Sequence, residues 1–268
     1  MKTGFLITAR LKSTRLLLKA LKDLNGKTVL ERVIERAKQV KGIDEIVLCS
    51  SFNAQDRPLV DIAASNNILY FNGEEDDVLH RLFMAGKFYG LDYIINITAD
   101  NPLFSIYHAN LVADKIRTGD FTDYVTVSGL PLGTAVTGIR HKAIQLICQI
   151  KTDVQTEIWG YYFNRPEIFN ITNVQASGRL NRPDLRLTLD YEEDYLLLNR
   201  IFASMPSGVM PDLYHVIDYL DSNPETATIN QGCRQMDLDS DKKNKIDELF
   251  TNQLEKILKC KQKIYCEQ

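Results

Sequence analysis

The first hundred residues alternate β-rich runs with amphipathic stretches, and that alternation restricts the chain to a parallel sheet with helices on its faces. The runs are Phe5-Leu6-Ile7-Thr8, Ile46-Val47-Leu48-Cys49, Ile68-Leu69-Tyr70-Phe71 and Tyr93-Ile94-Ile95-Asn96-Ile97. Each reads as a buried strand. Between the first two, residues 28–40 put Val29, Leu30, Val33, Ile34, Ala37 and Val40 on one helical face; Glu31, Arg32, Glu35, Arg36 and Lys38 fall on the other. Stretches near 58–66, 77–89 and 106–117 repeat the pattern. The chain is α/β.

The second half is less regular. Strands are expected at Tyr124–Val127, Ile168–Val174 and Leu185–Leu189, with a Gly/Pro turn over 129–133 and a helix from about His141. From Asp239 onward, Ile246, Leu249, Phe250, Leu254, Ile257 and Leu258 recur at helical spacing and predict a terminal amphipathic helix with a solvated charged face. The expected organisation is one domain over 1–238, with a subdomain at about 124–186, followed by that helix over 239–268.

Composition removes several function classes. Apolar residues at 44% and charged residues at 25% are ordinary globular values, which excludes a disordered, collagen-like or coiled-coil chain. Thirty-two bases against 35 acids leave a net charge of −3, so nucleic acid is not an expected partner. The apolar run before Arg10 is far shorter than the ~20 residues that span a bilayer, so neither membrane insertion nor export is expected. Cys49, Cys148, Cys233, Cys260 and Cys266 are odd in number and lack metal-type spacing. A reducing cytoplasm is the expected location.

The loop after the first strand carries Arg10, Lys12, Ser13, Thr14, Arg15 and Lys19, at the sheet edge where open α/β folds bind ligands. A cation about 4 Å from a phosphate charge gains roughly 4 kcal/mol at an effective dielectric near 20, and neighbouring cations repel by similar amounts. An anion is therefore expected there; a solvated basic loop is the competing reading. Gly26-Lys27-Thr28 is not a P-loop, because Leu21 stands where that motif needs glycine. A dinucleotide fingerprint fails too, since only Gly4 lies near the first strand. Asp100 follows the fourth strand, which Pro102 stops, and Asp190 ends Leu187-Thr188-Leu189. One or two carboxylates plus substrate phosphates is the usual Mg²⁺ ligand set. Alternatively, Asp100 closes a turn and Asp190 caps a helix from Tyr191, with Glu193 completing a capping box.

In order along the chain stand Ala9-Arg10, Ser13-Thr14-Arg15-Leu16 with Lys19, Leu24-Asn25-Gly26-Lys27, Gly73, Asp77-Val78-Leu79 with Arg81, Thr98-Ala99-Asp100-Asn101-Pro102, and Leu187-Thr188-Leu189-Asp190 with Asp194. This series resembles the cytidylyltransferases that activate acidic sugars. It is most similar to the spore coat polysaccharide biosynthesis protein F group, related to the acylneuraminate and deoxy-manno-octulosonate cytidylyltransferases. The resemblance runs from residue 3 to about 203. It implies a glycosyltransferase-A-like nucleotide-diphospho-sugar transferase fold: a mostly parallel sheet, helices on both faces, and a smaller acceptor and dimerisation subdomain. It implies CTP held by Ala9, Arg10, Ser13, Thr14, Arg15, Lys19, Ser50, Gly73, Arg81, Thr98 and Asp100. Arg15, Lys19 and Asp100 would be catalytic, with Mg²⁺ on Asp100 and Asp190. Also implied are a homodimer and an acidic sugar or sugar-phosphate-like acceptor, activated for cell-surface glycan precursor synthesis with release of diphosphate.

The chain departs from that pattern in three places. Leu17-Leu18 replaces a Pro-Gly pair in the phosphate loop, which predicts an altered loop path. Glu157-Ile158-Trp159 replaces a Glu-His pair, and Thr137 stands where a glutamate often follows the Pro131-Leu132-Gly133 turn. Two other functions stay open: a metal-dependent glycosyltransferase, though no Asp-X-Asp motif stands at Asp100, and a non-catalytic nucleotide-sugar binding relative. His108 and His141 read as helix-start residues. Trp159, Tyr161, Tyr162 and Phe163 read as core or dimer contacts ahead of an acceptor-stacking role.

Overall fold

Seven strands form a single sheet in the computed structural model, which describes residues 1–118, 121–206 and 209–266. They are β1 (Thr3–Thr8), β2 (Glu45–Ser51), β3 (Leu69–Gly73), β4 (Tyr93–Thr98), β5 (Tyr124–Ser128), β6 (Thr137–Arg140) and β7 (Ile171–Gln175). Their order across the sheet is β3-β2-β1-β4-β6-β5-β7. β6 pairs antiparallel with both β4 and β5, so it alone runs against the other six. Thr8 pairs with Thr98, so the loops that leave β1 and β4 start side by side at one edge.

The helices are α1 (Val29–Ala37), α2 (Arg57–Ser65), α3 (Val78–Tyr89), α4 (Ile106–Thr118), α5 (His141–Ile150), α6 (Glu192–Ser204), α7 (Leu213–Ser222), α8 (Pro224–Ala227) and α9 (Ser240–Cys266). α1 starts at a capping box: Thr28 Oγ1 accepts from the Glu31 N–H, and Glu31 accepts from the Thr28 N–H. Phe5, Ile7, Leu48, Ile95 and Ile97 turn to one face of the sheet and pack with α1, α2 and α4. Leu6, Val47, Cys49, Ile94 and Ile139 turn to the other and pack with α3, α5 and α9. This strict alternation follows from the two-residue strand period with helices on both sides. A third apolar cluster joins Leu16, Leu24, Leu103, Leu130, Leu187 and Leu189 to α6 and α7.

The expected mixed α/β architecture is present, with four departures. β6 reads Thr-Gly-Ile-Arg and carries no apolar run; it is recruited by pairing between β4 and β5. Leu185–Leu189 is not a strand: it makes one isolated parallel bridge, Leu132 to Arg186. α7 lies in a stretch that gave no helical expectation. Asp190 does not cap the helix that follows. Tyr191 holds the cap position of α6, and Asp194, not Glu193, accepts from its backbone N–H at 3.1 Å.

Arg36 is a fifth, more instructive departure. It was expected on the polar face of α1, yet it is 2% exposed. Its guanidinium donates to the carbonyls of Phe104 at 2.8 Å and Pro211 at 2.6 Å. Burial pushes its pKa down to about 10 despite the nearby Asp212. The side chain thus ties α1 to two loops whose carbonyls would otherwise be buried without donors. Arg36→Ala is expected to cost about 2–4 kcal/mol, from the loss of two hydrogen bonds to a charged group and two carbonyls left without that donor. Urea denaturation of the two proteins checks this.

α9 buries Ile246, Phe250, Ile257 and Ile264 against the α3/α5 side of the sheet, whereas Leu258, expected in the apolar row, is 41% exposed. Near its end, Lys261 Nζ and Tyr265 Oη reach the buried Asp123 at 2.9 and 2.7 Å.

Candidate active site

Backbone pairing at the carboxyl edge of the sheet brings three distant segments together. The Ala99 N–H donates to the Thr8 carbonyl at 2.9 Å, which seats the turn after β4 beside the loop after β1. The Leu187 N–H donates to Leu132 at 2.7 Å and the Leu189 N–H to Asp100 at 2.9 Å, which lays the 185–190 run along the same edge. Asp100 and Asp190 therefore become neighbours although 90 positions separate them.

Gly133 makes this approach possible. Its φ is +88°, and an added Cβ would lie 2.6 Å from the Thr188 backbone nitrogen and 2.7 Å from Asn101 Oδ1. Gly133→Ala is expected to destabilise the protein by about 2–4 kcal/mol, from left-handed backbone strain and a backbone clash together. A drop in denaturant midpoint with unchanged far-ultraviolet dichroism at low denaturant checks this.

The loop after β1 delivers its cations to the two carboxylates. Lys19 Nζ lies 2.5 Å from Asp100 Oδ2 and 2.8 Å from Asp190 Oδ1, and Arg15 Nη2 lies 2.8 Å from the same Asp190 oxygen. Thr98 Oγ1 donates to Asp100, and Asn101 Nδ2 donates to Thr98 Oγ1 at 2.6 Å. Burial would lower the Lys19 pKa, but Asp100 and Asp190 outweigh it and the ammonium is held above its ordinary value. Burial would likewise raise Asp190, yet Lys19, Arg15 and Arg186 hold it below the usual carboxylate range. Both groups are thereby kept charged at neutral pH.

A cleft of about 250 Å³ opens beside this cluster. Of the residues singled out in the sequence, Ala9, Arg10, Ser13, Thr14, Arg15, Lys19, Arg81, Thr98 and Asp100 line it. Asp190 is 5% exposed and reaches the cleft residues through its ion pairs to Arg15 and Lys19. Ser50 and Gly73 are not on its wall. Ser50 is buried and its hydroxyl has no partner, while Gly73 packs under the Arg81 side chain. Arg81 is itself buried, donates to the Glu75 carbonyl at 3.0 Å and leaves Nε unpartnered; burial lowers its pKa.

Lys12, which the sequence placed in the anion-binding loop, also lines it, as do Val78, Glu157, Trp159 and Met236, to which the sequence gave no place in the nucleotide site. The acids explain how a loop with four cations folds without a ligand. Arg10 reaches Asp76 at 3.0 Å and Glu157 at 2.7 Å, and Lys12 reaches Glu75 at 3.4 Å. Only the spacing Glu74-Glu75-Asp76 hinted at them, and nothing tied that run to the loop after β1. Trp159 is buried edge-on against Phe163, which stacks on Tyr124, so this aromatic group is core with one member touching the cleft.

At the altered phosphate loop, Leu18 takes φ 53° and ψ 30°, a left-handed conformation that glycine adopts freely. A leucine holds it here, with Leu17 and Leu18 73% and 51% exposed. The histidines lie off the cleft. His108 Nδ1 pairs with Ser105 Oγ at 2.8 Å at the start of α4, and His141 Nε2 pairs with the Phe83 carbonyl at 2.9 Å at the start of α5. Among the described residues, no group of three or more His, Cys, Asp or Glu side chains could hold a metal ion. Among the described residues, no helix is long and apolar enough to cross a membrane.

Comparison with known proteins gives this edge a context. The chain is 32% identical over 240 residues to an uncharacterized protein of Methanocaldococcus jannaschii, covering 88% of this chain and 97% of that one. It is 27% identical over 233 residues to the spore coat polysaccharide biosynthesis protein SpsF of Bacillus subtilis, covering 84% and 96%. It is 26% identical over 187 residues to a 3-deoxy-manno-octulosonate cytidylyltransferase of Chloroherpeton thalassium, covering 68% and 71%. In fold it matches the solved structure of a cytidylyltransferase from Leptospira borgpetersenii at a TM-score of 0.79 and 23% identity, covering 89% of this chain and all of that one. The cytidylyltransferase family profile spans residues 5–267, from β1 past the end of α9, and with so nearly complete a match this chain belongs to the cytidylyltransferase family.

Proposed function

We propose that this chain transfers the cytidylyl group of CTP to an oxygen of an acidic sugar or sugar-like acceptor, releasing diphosphate, in the synthesis of cell-surface glycan precursors. The observation that carries this reading is the meeting of Arg15 and Lys19 with Asp100 and Asp190 at the carboxyl edge of the sheet. The relatives' names supply the acceptor class: one belongs to polysaccharide biosynthesis, another acts on 3-deoxy-manno-octulosonate.

The reaction is an in-line displacement. The acceptor oxygen bonds to the α-phosphorus, the bond from that phosphorus to the bridging oxygen breaks, and the electron pair leaves with diphosphate. Arg15 and Lys19 sit where they can take up the charge that grows on the leaving group, fixed in place before the reaction starts. Ser13, Thr14 and Arg10 line the same wall and orient the phosphates. Arg81 borders the same cleft and would contact the nucleotide there; Gly73 packs beneath that arginine, and Ser50 lies on β2.

The two aspartates fit Mg²⁺. They converge on one cationic position, now filled by the Lys19 ammonium, and Mg²⁺ is commonly held by one or two carboxylates with substrate phosphates. When bound, Mg²⁺ would supply Lewis-acid polarisation of the phosphates and a template for the displacement. Asp100 and Asp190 would hold it, and Lys19 would then turn to phosphate oxygen.

We further propose a homodimer formed through residues 124–186, and a cytoplasmic location, which suits five unpaired thiols. Purified protein with Mg²⁺, each nucleoside triphosphate and a panel of acidic sugars and sugar phosphates is expected to release diphosphate with CTP and one acceptor class. No release from any pair would overturn the assignment.

A further inference from the structure

The two oxygens of Asp190 are used differently. Oδ1 is turned to the cations that line the cleft, 2.8 Å from both Lys19 Nζ and Arg15 Nη2, whereas Oδ2 lies 3.0 Å from Arg186 Nη2. Arg186 is not free to swing. Its Nε and Nη2 form a fork with Asp194 at 2.9 and 3.0 Å. Asp194 is fully buried and also accepts from the Asp190 N–H at 2.9 Å, the Tyr191 N–H at 3.1 Å and Asn230 Nδ2 at 2.7 Å. Asn230 in turn donates to the Arg186 carbonyl at 3.0 Å. The backbone and one carboxylate oxygen of Asp190 are thus fastened to the same buried group.

A helix cap would need only the bond from the Tyr191 N–H. Here a carboxylate has been taken wholly out of water, a cost of several kcal/mol that only a well-formed set of donors offsets. Those donors come from the 186–191 run and, through Asn230, from the segment after α8. The arrangement leaves Asp190 one oxygen to offer and fixes the direction in which it is offered.

The geometry points to Arg186, Asp194 and Asn230 as positioning residues that make Asp190 a one-oxygen ligand for the cation in the cleft. This rests on the reading above that Asp190 holds that cation. A carboxylate restricted to one oxygen favours Mg²⁺, which demands near-octahedral geometry and keeps several waters. A carboxylate free to turn can close on a larger ion with both oxygens, as Ca²⁺ accepts. The relay therefore sets metal preference as well as affinity.

The test reads metal binding without turnover. Mn²⁺ affinity of the protein with CTP and no acceptor is measured by water-proton relaxation, with Mg²⁺ and Ca²⁺ as competitors, for the parent chain, Asp190→Asn, Arg186→Lys and Asn230→Ala. Thermal melting shows which variants are folded; Asn230→Ala, the mildest, keeps both ion pairs of Arg186. Arg186→Lys and Asn230→Ala are expected to weaken Mn²⁺ about 10- to 100-fold, the usual effect of losing a group that orients a metal ligand. Their preference for Mg²⁺ over Ca²⁺ should shrink, while CTP affinity in chelator stays within about twofold. If Asp190→Asn loses Mn²⁺ but folded Arg186→Lys and Asn230→Ala keep the parent's affinity and preference, the positioning role is overturned. If Asp190→Asn binds Mn²⁺ as the parent does, the metal-ligand reading fails and takes this inference with it. A chain that passes these tests yet releases no diphosphate contradicts only the proposed reaction.

Discussion

Lys19→Met is expected to slow diphosphate release by about 10²- to 10³-fold, the loss typical of removing one preorganised charge-stabilising group. The ammonium is the single atom group that Asp100 and Asp190 share, so its removal also leaves two carboxylates facing each other across the space it filled. Lys19→Arg should recover little, because a planar guanidinium does not replace the compact point charge of an ammonium turned to phosphate oxygen. Single-turnover transfer at saturating CTP measures the effect. A Lys19→Met enzyme within tenfold of the parent would show that the charge does not act on the transferring group.

Asp190→Ala is expected to abolish measurable transfer and to cost about 3–5 kcal/mol of stability, the range for leaving buried charges unpartnered. Three cations, from Arg15, Lys19 and Arg186, lie within hydrogen-bonding distance of this one carboxylate. Without it they repel one another, and Lys19 and Arg186, whose side chains are largely buried, are only weakly screened by water. Asp190→Asn keeps the shape and some hydrogen bonds, so it should lose transfer with a smaller drop in stability. Urea titration of the three proteins separates the two effects. Equal stability of Asp190→Ala and the parent would mean that the cluster relaxes into solvent.

β1, β2 and β4 were legible because each is an apolar run between turn residues and is buried on both faces; β3 showed as an apolar run too, but it is the edge strand, with Leu69 and Tyr70 exposed, and is not the buried strand that the run predicted. The edge carrying Arg15, Lys19 and Asp100 followed from where β1 and β4 end. Other features depend on contacts that no local pattern encodes. β6 exists only because β4 and β5 flank it, and Thr-Gly-Ile-Arg says nothing of that. Arg36 has a polar side chain on a helix that looks amphipathic, yet its partners are carbonyls at positions 104 and 211. Glu157 pairs with Arg10 across 147 positions, so the neutralisation of the basic loop could not be read from the loop itself. Asp190 illustrates the opposite error. Its place before a helix resembled a cap, and only the position of Asp194 shows that the cap belongs to the next residue.

The docking of α9 bears on how this chain folds while it is being synthesised. One flank of the sheet takes Ile246, Phe250, Ile257 and Ile264 from α9, and Asp123 waits for Tyr265, 142 positions further along. Until Ser240–Cys266 has been synthesised, α5 has an oily surface with nothing against it and Asp123 lacks two of its donors. Contacts of such sequence separation form late and slowly. The nascent chain therefore passes through a stage in which most of the sheet is built and one side is sticky, and shielding by a chaperone would matter most until α9 has emerged and docked.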